Sequence, residues 1–281
     1  MNRMKKYFLI VGIAVFAFVA CKNDKKTYTT TAGQQGDVRF SIKDDTLAAF
    51  LLGGVYTFQG YGGAEKTFQM IKMEMSSQPG DDKFVNNLDI VYRKLFEYPY
   101  HQSQKEKIDS RNILRSWWDV NNQHEFHLLL TQLQEKGHED LYRQVKKVLD
   151  ENGGANANTK NIDFKKYNLD TGAIVLLDFV KKNYNAFPSS GIRAWDIARY
   201  SNLVCLGYGA EYVDRNTGLT YLMTILAEAR KDYANWKDYY DGFMLGRRFW
   251  GGDTTNNEVY QKTITEMQEG DYSAYKYLPL K

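Results

Sequence analysis

The sequence predicts an all-α protein, a single multi-helix domain of about ten helices behind a signal peptide and a flexible tether. Three observations predict it. Apolar residues recur at helical spacing in successive segments from Asp45 to Gln268. Sustained apolar–polar alternation, which marks half-buried strands, is absent. Capping residues and glycines punctuate the periodic segments.

Residues 1–20 form an export signal. Arg3, Lys5 and Lys6 precede an apolar run from Tyr7 to Ala20. At ~14 residues the run is shorter than the about 20 that a spanning helix needs. It ends in Phe18-Val19-Ala20-Cys21, which resembles the lipobox of bacterial lipoproteins, with Phe18 in place of the commoner leucine. That resemblance implies cleavage before Cys21 and acylation of its thiol by chains such as palmitate. A plain secretory signal and an uncleaved anchor are the alternatives. Residues 21–36 then supply the acylated Cys21 and a polar, Thr-rich tether too poor in apolar groups to order itself. The expected location is the bacterial cell envelope, lipid-anchored, on the periplasmic or surface side of the outer membrane.

Residues 37–281 form the helical domain. Helices are expected over Asp45–Phe58, Gly63–Ser76, Asp81–Tyr98, Ser103–Asp119, Gln123–Lys136, His138–Asn152 and Thr171–Tyr184. Next comes Ile192–Leu206, whose apolar face is wide enough to be buried on more than one side, with Gly207 and Gly209 ending it. Asp214 caps a helix carrying Leu219, Leu222, Met223 and Leu226. Asn235 and Asp238 open a helix that runs to Gly251-Gly252, and a Thr255…Glu258 capping box opens the last, Asn256–Gln268. Residues 151–160 (ENGGANANTK) read as an exposed loop. The tail, Asp271–Lys281, has no clear period and is expected across the domain surface.

Composition narrows the function. The net charge of +3 is spread along the chain, and no basic stripe or nucleic-acid module accompanies it. Nucleic acid is therefore not an expected partner. The glycines at Gly53-Gly54, Gly60 and Gly62-Gly63 lack the Lys-Ser/Thr and the strand of a phosphate loop, and no cofactor is expected. With Cys21 acylated, Cys205 is the remaining thiol, on an apolar face where a small buried hydrophobe is expected.

Three stretches together resemble the bacterial domain-of-unknown-function family 1266. They are Trp195-Asp196-Ile197-Ala198-Arg199, Gly209 to Asp214, and Trp236 with Leu245-Gly246-Arg247-Arg248-Phe249-Trp250. Trp117-Trp118-Asp119-Val120, Leu128–Leu133 and Gly137-His138 fit the same pattern, and Leu47–Leu52 fits it more loosely. The likeness covers about residues 47–252. Thr217-Gly218 departs from it, standing where the family usually has Glu-Ala. The resemblance implies an all-helical domain and supplies no substrate, cofactor or catalytic residue.

The residues themselves offer several candidates. His124 and His127, with His138, invite a metal reading, but the spacing is one short of the zinc-protease motif. Exposed helix surface is the better account, and no metal is expected. Arg193, Asp196 and Arg199 form a ladder on an apolar helix. Either Asp196 and Arg199 tie helices together, through Arg247 or Asp214, or the arginines line a pocket. In the pocket reading Arg199 and Arg247 hold a carboxylate or phosphate and Asp196 or Glu211 acts as a base. Trp195 and Trp236 are candidates for an aromatic binding platform, with core packing as the alternative.

Two functions follow. The first is a lipid-anchored, non-catalytic module that binds an envelope protein or glycan. The second is a hydrolase or transferase on an envelope substrate, using an Asp/Glu/Arg pocket. The enzyme requires Asp196, Glu211, Arg199 and Arg247 to converge in one water-accessible cleft.

Overall fold

The computed structural model describes residues 45–100, 103–251 and 255–281. The expected signal peptide, Cys21 and the tether lie outside these residues, as do His101 and the Thr255 side chain. The described residues fall in one compact unit. They form twelve α-helices and short 3₁₀ turns, with no strand among them. No described helix is long and apolar enough to cross a membrane.

The helices are α1 (Asp45–Leu51), α2 (Gly54–Gly60), α3 (Ala64–Glu74), α4 (Phe84–Phe96), α5 (Gln104–Trp118) and α6 (Gln123–Glu135). They continue with α7 (Glu139–Glu151), α8 (Ala173–Lys182), α9 (Arg193–Gly209), α10 (Arg215–Asp232), α11 (Trp236–Gly251) and α12 (Thr255–Glu269). The expected caps at Asp214 and Asn235 form, the Thr255 box lies outside the described side chains, and an unexpected capping box of Ser103 and Glu106 opens α5. The Asp214 carboxylate accepts N–H bonds from Asn216 and Thr217 on α10, and Asn235 accepts from Asp238 at α11.

Helix α9 is the axis of the molecule. Every residue in it is buried except Asn202 and Tyr208. α5, α6, α10 and α11 pack around it, and α2 reaches it as well. The wide apolar face thus meets protein on several sides. Its end differs from expectation. Gly207 and Gly209 remain helical because they serve packing: a Cβ at Gly207 would overlap the Phe126 ring. The left-handed residue that closes the helix is Glu211, at φ 65°. Beyond it the Tyr212 N–H returns to the Gly207 carbonyl.

Three further differences come from contacts between distant parts of the chain. The expected single helix over Asp45–Phe58 breaks at Leu52-Gly53 into α1 and α2. A side chain at Gly54 would overlap the Tyr275 hydroxyl, so the tail dictates the bend. The tail is core rather than surface cover. Ala274, Tyr275, Leu278 and Leu280 are buried, the Trp236 indole donates to the Leu278 carbonyl at 2.6 Å, and Arg230 Nε donates to Leu280 at 2.7 Å. The 151–160 stretch is exposed from Glu151 to Gly153 but buries Ala157 and Thr159. Thr159 donates to Asp178 on α8 at 2.6 Å.

Two apolar clusters result. The larger is built around α9 from α1–α6 and α9–α12 with the tail. The smaller joins Tyr142, Val145, Val148 and Leu149 of α7 to Leu177 and Val180 of α8, and it borrows Ile192 and Phe249.

Candidate functional site

The charged ladder on α9 divides its work among three partners. Arg193 donates from Nη1 to the Leu133 carbonyl and from Nη2 to Gln134, each at 2.8 Å, and pairs with Glu228 of α10. It therefore neutralises the carbonyl end of α6. Asp196 turns to the next helix. Its carboxylate accepts the His138 N–H at 2.9 Å and the Glu139 N–H at 3.0 Å. α7 has no side-chain cap of its own, so Asp196 caps it from another helix. Gly137 makes room, since a Cβ there would overlap the Asp196 carboxylate.

The exchange is reciprocal. Glu139, the first residue of α7, accepts the Ile192 N–H at 2.7 Å at the start of α9. Two helix N-termini are thus joined by swapped carboxylates, each placed where the helix dipole favours negative charge. Burial alone would raise the Asp196 pKa, but the Arg199 guanidinium and the His138 contacts outweigh it and hold the carboxyl below its ordinary value. Glu139 lacks so strong a partner. Burial pushes its carboxyl up to about 7, with the Asp196 charge adding to the rise. Arg143 Nε stands 2.9 Å from Glu139 Oε1 but is poorly aligned for a hydrogen bond.

The sequence candidates therefore do not converge as the enzyme reading requires. Asp196 has a fully buried side chain paired with Arg199, and its ties run to the α6–α7 turn rather than to Arg247 or Asp214. Glu211 lies beyond the other end of α9, roughly 20 Å away at the helical rise per residue. Its carboxylate is half-exposed and pairs with Lys107 at 2.8 Å and with Arg111. Trp236 is spent holding the tail. Cys205 is buried, and burial pushes its thiol up to about 12. His127 faces the Tyr221 hydroxyl at 3.0 Å, whereas His138 faces Arg199 at 2.8 Å. Among the described residues no group of three His, Cys, Asp or Glu is placed to hold a metal ion.

What does converge is cationic and aromatic. Arg199 lies over the Trp195 ring, 3.6 Å from its centroid, with Trp118 at 5.7 Å. Trp195 also meets His138 edge-on at 4.9 Å and Trp250 at 5.5 Å. Arg247 lies 3.7 Å from the Tyr260 centroid, and Tyr260 meets Tyr56 at 6.1 Å. Gly246 sets the spacing: a Cβ there would stand 2.5 Å from Trp195 Cβ, so α11 runs close against α9. The signal that sequence could have offered was the heptad-like spacing of Phe243, Arg247 and Trp250 on one face of α11.

The chain matches the family model described as "Protein of unknown function (DUF1266)" over residues 113–280. It belongs to this family. The match begins within α5 and runs through the tail, so the looser likeness at Leu47–Leu52 falls before it. The DUF1266 region thus holds α6–α12 complete, including both carboxylates of the reciprocal cap and both arginines of the aromatic cluster. "Uncharacterized protein YbeR" of Escherichia coli strain K12 is 29% identical over 72 residues, which is 26% of this chain and 31% of that protein. The similarity thus spans under a third of that relative. No solved structure matches the chain.

Proposed function

We propose that this DUF1266 protein is a lipid-anchored module of the bacterial cell envelope that binds another envelope component without transforming it. One observation carries the choice of binding over catalysis. Asp196, the best-placed acid or base, has its carboxylate spent on the α7 N-terminus and on Arg199. Its role is to position helices. A hydrolase or transferase would need a second carboxylate beside it in open water, and Glu211 stands at the far end of α9. What supports binding is the pairing of arginines with aromatic faces, a combination suited to holding a ligand.

The anchor rests on the charged start, the short apolar run and Phe18-Val19-Ala20-Cys21. Acyl chains on Cys21 hold the protein to a membrane because each buried CH₂ contributes about 0.8 kcal/mol. Residues 22–36 then act as a spacer, and the partner is an envelope protein or glycan. The test is Cys21→Ala in the native host, read by fractionation and by labelling with a palmitate analogue. The wild-type protein is expected in the membrane fraction and labelled. The variant is expected as an unlabelled precursor or a soluble form. A variant that is still processed and membrane-bound contradicts the anchor.

A further inference from the structure

The aromatic–arginine cluster has donors with nothing to bind. Trp195 is 3% exposed and Arg199 7% exposed, yet Trp195 Nε1 and Arg199 Nε are buried without a hydrogen-bond partner, and so is Arg247 Nε. Buried N–H groups are nearly always paired, because an orphan forfeits its hydration for nothing. Three such donors on the facing helices α9 and α11 call for an acceptor that the described residues do not provide.

Charge points the same way. The hydrogen bonds of Arg199 to Asp196 and His138 both leave from Nη2, so Nε and Nη1 remain unspent. Arg247 forms no ion pair with any described residue and rests on the Tyr260 ring alone. Asp196 offsets one guanidinium; no described carboxylate pairs with the second. His138 adds no negative charge, and burial with the Arg199 charge holds its pKa below the ordinary value. Tyr56, half-buried against the Tyr260 ring, lies within electrostatic reach of both guanidiniums, although burial pushes its hydroxyl well above its usual range. At the rim, Trp250 is 49% exposed while its ring rests against Trp195.

We infer that Arg199, Arg247, Trp195, Tyr56, Tyr260 and Trp250 form a binding site for an acidic saccharide, the guanidiniums and the Trp195 N–H taking its carboxylate or phosphate and the exposed Trp250 face its ring. Oxyanion geometry suits guanidinium N–H donors, which bind such groups in pairs. Flat aromatic faces suit the apolar faces of a pyranose, and a half-exposed tryptophan at the rim reaches a ligand from solution. This site rests on the binding reading proposed above and names the ligand class for it.

The test is calorimetric titration of the full-length protein in detergent with glucuronate, glucose 6-phosphate, glucose and inorganic phosphate. Glucuronate and glucose 6-phosphate are expected to bind saturably and glucose not at all. Arg247→Gln is expected to weaken both acids by about tenfold or more, with Arg247→Lys falling between. Arg247 makes no hydrogen bond with any described residue, so its variants should keep the wild-type helical circular dichroism. Trp250→Ala, at an exposed position, should weaken the acidic sugars and leave inorganic phosphate unaffected. Equal affinity of wild type and Arg247→Gln overturns the site, as does glucose binding as tightly as its phosphate. Inorganic phosphate binding as tightly as glucose 6-phosphate overturns the saccharide assignment. Chemical conversion of either sugar acid would instead contradict the non-catalytic reading and leave the site standing.

Discussion

At the scale of single residues, the chemistry of this protein turns on how buried charges are matched. Asp196 and Glu139 are two carboxylates on facing helix starts, and their titrations move in opposite directions. The Asp196 pKa is lowered, so its contribution is present above the unfolded carboxylate range and is lost in acid. The Glu139 pKa is raised to about 7 from 4.5. Between those values the folded state holds a proton that the unfolded chain has released. By linkage, this group makes stability fall as pH rises from about 4.5 to about 7. Glu139→Gln keeps a carbonyl acceptor for the Ile192 N–H and removes the titration. Urea unfolding at about pH 5 and about pH 7 should therefore show a smaller loss of stability with rising pH in the variant than in wild type. An unchanged slope would place the titration elsewhere.

At the scale of elements, close helix approach is bought with glycine. α9 and α11 touch through Gly246, whose missing Cβ lets the α11 backbone lie against Trp195 and Ile192. Gly246→Ala should force them apart and cost about 1–3 kcal/mol, less the gain of about 1 kcal/mol in helix propensity. Gly251 is the control, since a Cβ there meets nothing within 4 Å. Thermal melts should show Gly246→Ala destabilised and Gly251→Ala unchanged or slightly stabilised; equal melts would mean the contact is slack. The same elements show what sequence can and cannot disclose. The helices, and the caps at Asp214 and Asn235, depend on residues a few positions apart, and they were legible. The break between α1 and α2 was not, because its cause is Tyr275, far along the chain. Gly207 and Gly209 looked like stop signals because glycine serves both termination and packing, and Glu211 took the left-handed position instead. The reciprocal cap was also hidden. Its hydrogen bonds join residues 57 and 53 positions apart, beyond any local pattern. Asp196 and Arg199 stood out as costly charges on an apolar helix, but the residue types alone could not separate a tie from a pocket. The tie is the arrangement seen: Asp196 caps α7 and pairs with Arg199, which also lies over the Trp195 ring.

At the scale of the whole molecule, the Asp196–Glu139 exchange is the polar joint between the two apolar clusters. On one side stands α9 with the main core; on the other stands α7, which carries the smaller core with α8. Gly137 and Gly191, both with positive φ, let the two turns approach the exchanged carboxylates. An arrangement of this kind fixes where His138, Arg199 and Trp195 stand, and so holds the aromatic cluster in shape. It also occupies the Asp196 carboxylate with the α7 N-terminus and Arg199. The most direct measurement is equilibrium unfolding of Asp196→Asn, with hydrogen exchange followed along α7 and α8. The expected result is a loss of about 3–5 kcal/mol, the cost of breaking a buried ion pair, with faster exchange concentrated in those two helices. Near-wild-type stability with unchanged exchange would mean that Asp196 is not architecture, and would return it to the role of an acid or base free to act on a substrate.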